Sequence, residues 1–229
     1  MPAEFDRHSA DYEMTVERAI GFARQPHEVY IEAKARKLLE LARRRLGGEP
    51  ASVLDVGCGL GLMERHLEGR VSSLHGVDVS EPMIWRARQE VPGAEFRVSR
   101  PDKLPYADGR FDVAFTVCVL HHMEPRQRGP LLAELGRVTR PSGLVVVFEH
   151  NPWNPLTRQV VRGCSFDEGA QLVRLRQAAA ALRSAGLHVT DAEYLLFSPW
   201  RGTLVERLEG ALAKVPLGAQ YVVAARAPA

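Results

Sequence analysis

The sequence has no long apolar run, and this absence argues against a membrane protein. None of its 229 residues belongs to an unbroken apolar stretch of about 18 residues, the length that predicts a membrane-spanning helix. The first residues, MPAEFDRHSADYEM, have neither the basic start nor the apolar centre of a signal peptide. We therefore expect a soluble, cytoplasmic protein that has no membrane partner.

Cysteine is scarce and the charges nearly balance. The three cysteines, Cys58, Cys118 and Cys164, form no Cys-x-x-Cys pair, which predicts reduced thiols and no structural metal. The formal net charge of +2 gives no overall attraction to nucleic acid, so no nucleic-acid partner is expected. One basic stretch, KARKLLELARRRLG at 34–47, has leucines at helical spacing. It predicts a helix whose basic residues form a solvated face.

The chain instead shows strand-like and helix-like segments in alternation. Apolar runs of strand length occur at 51–56, 71–77, 94–98, 112–119, 143–148, 188–197 and 219–225. Helical patterns occur at 28–46, 81–90, 125–138, about 168–185 and about 202–213. This alternation predicts an α/β, Rossmann-like doubly wound fold with a mostly parallel sheet and helices on both faces. The length fits a single domain.

A glycine-rich loop follows the first of these strands, in the stretch VLDVGCGLGLMERHL. Gly57, Gly59 and Gly61 allow positive φ angles and a close approach of a ligand to the backbone. Their spacing is G-x-G-x-G, whereas dinucleotide-binding loops have G-x-G-x-x-G. Asp55, two residues before the first glycine, would repel a pyrophosphate. The loop thus favours a ligand with a positive centre and no phosphate, and a tight turn that binds nothing is the alternative.

A second acidic residue follows the second strand, in the stretch LHGVDVSEPMI. Asp78 lies about twenty residues after Gly61, where a carboxylate can accept hydrogen bonds from both hydroxyls of a ribose. It is not required as a helix cap, because Ser80 occupies that position. The two sites together describe a nucleoside with a cationic, phosphate-free tail, which is S-adenosylmethionine.

Four stretches resemble successive motifs of the class I S-adenosylmethionine-dependent methyltransferases, in particular their small-molecule branch. They are VLDVGCGLG, GVDVSEPMI, KLPYADGRFDVAFTVCVLHHM and LLAELGRVTRPSGLVVV. The resemblance covers roughly residues 5–150 and implies a seven-stranded sheet whose last strand is antiparallel. It also implies that the loop at 57–61, with Asp55, flanks the methionine part of the cofactor. Asp78 would then hold the ribose, and Met83 would lie against the adenine.

The resemblance extends to the N-terminus and shows one departure after the third strand. FDRHSADYE is similar to the family's opening F-D-x-x-A-x-x-Y, which implies that Phe5 and Tyr12 anchor a segment folded over the cofactor. Relatives usually place an acid after the third strand to accept from the adenine amino group. This chain has SRPD at 99–102. Either Asp102 takes over that role, or packing holds the adenine.

Three histidines are the first candidates for the base that removes a proton from the acceptor. Methyl transfer from a sulfonium requires positioning of the acceptor and, where the acceptor carries a proton, a base. His121 and His122 follow the fourth strand and His150 ends the fifth, and histidine has a suitable pKa. We rank them His122, His121, His150, with structural or cofactor-side roles as the alternative. Cys118 is expected to contact the cofactor tail, not to act as a nucleophile.

The C-terminal half contains long connections that predict an acceptor pocket. They carry Trp153, Trp200 and Arg201, together with the short amphipathic segment PLTRQVVRG. We expect a helical lid at 1–48, a cofactor-binding core at 49–150 and an acceptor-side half at 151–229. The predicted function is O-, N- or C-methylation of a small molecule, such as a secondary metabolite, an isoprenoid or a glycosylated compound, by a monomer or homodimer. The alternatives are a catalytically silent S-adenosylmethionine-binding regulatory protein and a nicotinamide oxidoreductase.

Overall fold

A seven-stranded sheet forms the centre of the structure, a computed structural model that describes residues 6, 12–21, 26–100, 102–197 and 211–228. The strands are β1 (Ser52–Val56), β2 (Ser73–Asp78), β3 (Glu95–Val98), β4 (Phe111–Val117), β5 (Thr139–His150), β6 (His188–Leu195) and β7 (Gln220–Arg226). Their order across the sheet is β3-β2-β1-β4-β5-β7-β6. β7 runs antiparallel to both of its neighbours, and the other pairs are parallel. The predicted Rossmann-like sheet with an antiparallel last strand is confirmed.

Helices cover both faces of this sheet. Within the described residues they are α1 (Tyr12–Ile20), α2 (His27–Leu46), α3 (Leu62–Leu67), α4 (Glu81–Glu90), α5 (Pro125–Val138), α6 (Pro155–Gly163) and α7 (Leu175–Ser184). Along β5, Val145 and Val147 pack with α5 and α7, whereas Val146 and Phe148 pack with α2 and α3. Alternate side chains therefore enter two cores, which explains the continuous apolar run of this strand. None of the described helices has the length and apolar composition needed to cross a membrane.

The segment before α7 differs from its prediction. The sequence predicts a helix over about 168–185, but α7 begins only at Leu175. The preceding chain forms a short 3-10 helix at Ser165–Asp167. The backbone N–H of Gln171 then donates to the carbonyl oxygen of His121 at 2.8 Å. This segment therefore packs against the connection after β4 instead of forming the first turns of a helix.

Three other predicted elements lie in the second half of the chain. The fifth strand is predicted at 143–148 and extends over Thr139–His150, because a bulge between Phe111 and Val113 of β4 allows Thr139 to pair with Phe111. The helix predicted at about 202–213 lies mostly outside the described residues. The predicted amphipathic segment PLTRQVVRG forms α6.

The carboxyl ends of β1, β2, β4 and β5 meet at one edge of the sheet, which is the edge where open α/β sheets bind ligands. Helices α1 and α6 pack together over this edge. Val16 of α1 packs with Cys164 and Phe166, and the ring of Tyr12 stacks on Phe166 with 4.8 Å between the centroids. The N-terminal helix thus closes over the site edge.

Candidate active site

The glycine loop leaves the end of β1 with its backbone turned toward the site edge. The N–H groups of Gly57 and Cys58 both donate to the carbonyl oxygen of Val77, at 2.7 and 3.1 Å. Gly57 has a φ of 85°, and a Cβ there would collide with the side chain of Val119. Gly59 has a φ of 52°, but a Cβ there would meet no atom within 4 Å. Gly57 is therefore required by packing, whereas Gly59 leaves space for a ligand.

Asp78 connects the end of β2 to this loop. Its Oδ2 accepts from the N–H of Gly59 and its Oδ1 accepts from the N–H of Ser80, both at 2.9 Å. Ser80 caps α4 as predicted, because its Oγ accepts from the N–H of Met83, which is buried beneath. Ser80 Oγ also donates to Asp6 at 2.6 Å. A carboxylate has about four lone pairs, so Asp78 can still accept from a ribose.

Two carboxyl groups lie together beneath the loop. Asp55 is 2% exposed and Glu64 is fully buried, and no N–H or O–H of the described residues donates to Asp55 Oδ1 or to either oxygen of Glu64. Burial and the neighbouring carboxyl raise the pKa of Asp55, and burial raises the pKa of Glu64 to about 8. Glu64 therefore keeps its proton near neutral pH, beside the carboxyl group of Asp55.

A buried ion-pair cluster surrounds the first of the three histidines. His121 Nδ1 lies 2.6 Å from Glu149 Oε2, and its Nε2 lies 3.4 Å from Asp167 Oδ1. Glu149 is fully buried and also accepts from the N–H of Leu120 at 2.7 Å. Burial alone would lower the pKa of His121, but the two carboxylates outweigh burial and raise the pKa to about 9. His121 is therefore an imidazolium at neutral pH.

The other two histidines are neutral at the same pH. Burial and the positive charge of His121 lower the pKa of His122 and of His150 to about 4. The three rings are neighbours, with centroids 4.1 Å apart for His121 and His122 and 5.1 Å apart for His121 and His150. His122 Nε2 lies 3.3 Å from Asp167 Oδ1, and His150 Nδ1 lies 3.4 Å from Gln220 Nε2. Both rings line the cavity described below.

The same cluster contains the groups that could hold a metal ion. One ligand atom from each of His121, His150 and Asp167 lies within 4.8 Å of the others. Both ring nitrogens of His121 already face carboxylates, Glu149 at 2.6 Å and Asp167 at 3.4 Å. The positive charge of the protonated His121 therefore accounts for the proximity of these two carboxylates without a metal ion.

Cys118 begins the connection after β4 in a left-handed conformation. Its φ is 57°, which is uncommon for a residue with a side chain, and its N–H donates to the carbonyl oxygen of Phe148 at 2.9 Å. Burial raises the pKa of its thiol to about 12, so the nucleophilic thiolate does not form near neutral pH. The geometry agrees with a contact role for Cys118.

Lys34 is a residue of the cavity wall that the sequence analysis missed. The basic stretch at 34–47 was expected to form a solvated face, but Lys34 is only 3% exposed and lines the cavity. It lies three residues after Ile31 and four before Leu38, so it belongs to the buried stripe of α2. That spacing was the signal for its burial. The basic character of the stretch led to the wrong interpretation for this residue.

A single cavity of about 1380 Å³ joins these groups. Its walls include the following residues predicted from the sequence: Tyr12, Asp55, Gly57, Gly59, Asp78, Met83, Asp102, Cys118, His121, His122 and His150. Gly61 was also predicted as a site residue but does not line the cavity, although its neighbour Leu60 does. With a φ of 76°, Gly61 connects the loop to the start of α3. The predicted residues Phe5, Trp200 and Arg201 lie outside the described residues, as does Pro101 of the stretch SRPD.

Asp102 and Trp153 lie on the surface. Arg100 donates to both oxygens of Asp102, at 3.0 and 2.8 Å, and this hydrogen-bonded ion pair lowers the pKa of Asp102. Its two oxygens therefore already have a partner, and its adenine role stays a prediction.

Trp153 is 60% exposed and has the guanidinium of Arg174 at 5.0 Å from its ring centroid.

Comparisons with known proteins agree with this geometry. Residues 54–147 match the family described as a methyltransferase domain. Over 131 residues, the chain is 33% identical to a malonyl-[acyl-carrier protein] O-methyltransferase of Pseudescherichia vulneris, covering 57% of this chain and 51% of the relative. Over 113 residues, it is 34% identical to a demethylmenaquinone methyltransferase of Beutenbergia cavernae, covering 48% and 46%. The chain spans about half the length of the curated relatives that it matches.

A solved structure extends the likeness to the whole fold. An S-adenosylmethionine-dependent methyltransferase from Thermotoga maritima, described as a possible histamine N-methyltransferase, superposes with a TM-score of 0.70. The two chains are 21% identical, and the match covers 99% of this chain and 100% of the other, so it shows the fold. The domain match and the shared fold agree with the predicted cofactor, S-adenosylmethionine. Residues 54–147 are therefore similar to the methyltransferase domain family, and the chain shares its fold with a solved S-adenosylmethionine-dependent methyltransferase.

Proposed function

We propose that this protein transfers the methyl group of S-adenosylmethionine to a small-molecule acceptor bound in the same cavity. The observation that carries the proposal is the continuity of this cavity, which reaches from the glycine loop and Asp78 to His122 and His150. Its volume of about 1380 Å³ exceeds the range of about 300–1,000 Å³ that is usual for one drug-sized ligand. The space therefore suits a cofactor and an acceptor side by side.

The proposed cofactor position follows the groups at the carboxyl ends of β1 and β2. Asp78 accepts from the ribose hydroxyls, and the side chain of Met83 packs against the adenine. The loop at 57–61 and Cys118 flank the methionine part, and Tyr12 covers it from α1. This placement directs the methyl group toward the end of β4, where the histidines lie.

The proposed acceptor is partly apolar. The cavity wall beneath the N-terminal helix and beside α6 consists largely of apolar side chains: Val16, Ile20, Val160, Phe166, Leu196 and Phe197. In this proposal the segments 1–48 and 151–229 enclose the acceptor above the core at 49–150. The printed names of the two relatives provide the first acceptors to test, a malonyl thioester on an acyl-carrier protein and demethylmenaquinone.

The base, where the acceptor carries a proton, is proposed to be His122, with His150 second. Both imidazoles are neutral at pH 7 and can accept a proton, whereas His121 is already protonated and moves to last place in this order. When bound, S-adenosylmethionine would supply the electrophilic methyl group of its sulfonium. His122 or His150 would then take up the proton that the acceptor loses. His121 stays paired with Glu149 and fixes the neighbouring rings.

The first test is binding by calorimetry. We expect the protein to bind S-adenosylhomocysteine and not NAD, and binding of NAD alone would overturn the proposal. The second test is transfer of a labelled methyl group to the malonyl thioester, to demethylmenaquinone and to apolar alcohols and acids. Cofactor binding without transfer to any acceptor would favour the silent binding protein.

The base is tested by turnover against pH once an acceptor is found. Replacement of the true base by alanine should lower turnover about a hundredfold or more, with cofactor affinity almost unchanged. A histidine base with a pKa of about 4 predicts that turnover falls only as the pH drops toward 4. Unchanged turnover in both His122→Ala and His150→Ala would show that proximity alone suffices.

A further inference from the structure

Gln220 has a buried amide oxygen at the cavity that lacks a hydrogen-bond partner. The residue begins β7 and pairs with His150 across the two strands, because the antiparallel β7 starts where β5 ends. Gln220 is 8% exposed and lines the cavity, yet no group of the described residues donates to its Oε1. Buried polar atoms are nearly always hydrogen-bonded, so a ligand that supplies a donor would satisfy this oxygen.

The nitrogen of the same amide already has partners. Gln220 Nε2 lies 3.4 Å from His150 Nδ1 and 3.7 Å from Cys118 Sγ, so each of its two hydrogens has an acceptor. Burial lowers the pKa of His150, and a neutral imidazole has the lone pair that accepts at Nδ1. Oε1 is therefore the atom of this amide that remains for a ligand.

The backbone that leads to Gln220 is held by the segment after β5. The side chains of Asn151, Asn154 and Thr157 donate to the carbonyl oxygens of residues 216–219, at distances from 2.7 to 3.1 Å. Asn151 is fully buried, and its amide oxygen accepts from a backbone N–H at 3.1 Å. This neighbouring buried amide thus has partners for both its nitrogen and its oxygen, whereas Gln220 has none for its oxygen. The same hydrogen bonds fix the position of Gln220 at the cavity wall.

The unpaired oxygen lies on the side of the cavity where the acceptor is proposed to bind. The proposed contacts to the ribose and the adenine follow β2, and β7 is separated from β1 and β2 by β4 and β5. The partner of Gln220 across the strands, His150, is one of the histidines proposed to act on the acceptor. A group that reaches Oε1 is therefore expected to come from the acceptor.

We propose that Gln220 Oε1 accepts a hydrogen bond from the methyl acceptor, so that the acceptor carries an O–H or N–H group. The inference rests on the proposed function and adds to it a substrate class and a specificity-determining residue on β7. A hydroxyl or an amine can donate this hydrogen bond, whereas an ether or a carboxylate has no hydrogen to donate. A carboxylate would also bring its own lone pairs against Oε1. Alcohols, phenols and amines therefore fit this subsite, and acids do not.

The experiment uses four naphthalenes that differ in one substituent at the same ring position. They carry a hydroxyl, an amine, a methoxy group or a carboxylate, and their rings suit the apolar wall beneath α1 and beside α6. Each is titrated by calorimetry into the protein saturated with S-adenosylhomocysteine, which keeps the probes out of the cofactor position. The hydroxyl and amine probes should bind about 10-fold more tightly than the methoxy and carboxylate probes, because they alone can donate to the buried oxygen.

Gln220→Met is the decisive variant, and Gln127→Met is its control. Methionine has nearly the shape of glutamine, but its sulfur is only a weak acceptor. Gln220→Met should bind the hydroxyl and methoxy probes within about twofold of each other, with its affinity for S-adenosylhomocysteine unchanged. Gln127 also lines the cavity, but its Oε1 already accepts from the N–H of Glu124 at 3.3 Å. Gln127→Met should therefore retain the wild-type preference.

Three outcomes would overturn the inference. The first is a wild-type complex that binds none of the four probes, or binds the methoxy or carboxylate probe as tightly as the better donor, and this result does not depend on how any variant folds. The second is an unchanged preference for the hydroxyl in Gln220→Met. The third is a loss of affinity for S-adenosylhomocysteine in this variant, which would assign Gln220 to the cofactor. A preference for one of the two donors over the other would support the inference and identify the group that the acceptor carries. If the wild type does not bind S-adenosylhomocysteine, the proposed function itself has failed, and this result is distinct from the other three.

Discussion

The buried pair of His121 and Glu149 supports a prediction about stability and pH. Glu149→Gln preserves the shape of the side chain and one oxygen that can accept from Leu120, but removes the charge facing the imidazolium. His121 has a pKa of about 9, raised above the ordinary value of 6.5. Its stabilising contribution is therefore fully present below pH 6.5 and is lost as the pH rises through 9.

The size of the effect follows from the same values. A rise of the His121 pKa from 6.5 to about 9 corresponds to about 3 kcal/mol in the free energy of unfolding. Glu149, at 2.6 Å, supplies more of this than Asp167, at 3.4 Å. We therefore expect Glu149→Gln to lower the free energy of unfolding by about 2–3 kcal/mol at pH 6. At pH 10, where His121 is neutral, the loss should be at most about 1 kcal/mol.

Urea unfolding followed by circular dichroism at pH 6 and pH 10 measures both quantities. Glu28→Gln is the matched control, because Glu28 Oε1 lies 2.7 Å from His66 Nε2, without hydrogen-bond geometry, and Glu28 is half exposed. A partly exposed pair without hydrogen-bond geometry contributes about 0–1 kcal/mol, so the control should change little at either pH. An equal loss for Glu149→Gln at both pH values would refute the reasoning, since the imidazolium would then not be the stabilised group.

Three further predictions concern the loop and its acids. Asp78→Ala should weaken S-adenosylhomocysteine binding by about 1–3 kcal/mol in calorimetry, and an unchanged affinity would remove Asp78 from the site. Gly59→Val should cost about 1–2 kcal/mol of stability through its left-handed φ and abolish binding through the side chain that enters the cavity; a folded variant that binds normally would contradict this. Glu64 has a pKa raised to about 8, so its stabilising contribution is present below about pH 4.5 and lost as the pH rises through 8. The free energy of unfolding of Glu64→Gln should therefore gain about 2–3 kcal/mol relative to that of the wild type between pH 6 and pH 9. A constant difference between the two proteins would show that Glu64 does not ionise in this pH range.

Local patterns in the sequence were sufficient to predict the architecture and the position of the glycine loop. Apolar runs of strand length alternating with helical periodicity predicted the sheet, because each side chain's face follows from the period of its own element. The positive φ angles of the loop need glycine at Gly57 and Gly61, so spacing alone located the loop. The capping role of Ser80 is equally local, and it left Asp78 available for a ligand.

Only the tertiary structure decided the charge states within the site. Glu149 and Asp167 lie 28 and 46 positions from His121 along the chain, yet both reach its ring, and this makes one histidine cationic and leaves its neighbours neutral. The burial of Lys34 likewise depends on how α2 packs across the sheet. A pKa is determined by desolvation and by charges brought close through folding, and sequence order specifies neither. The sequence by itself therefore determined where the glycine loop lies, and the fold determined which side chains around it are charged.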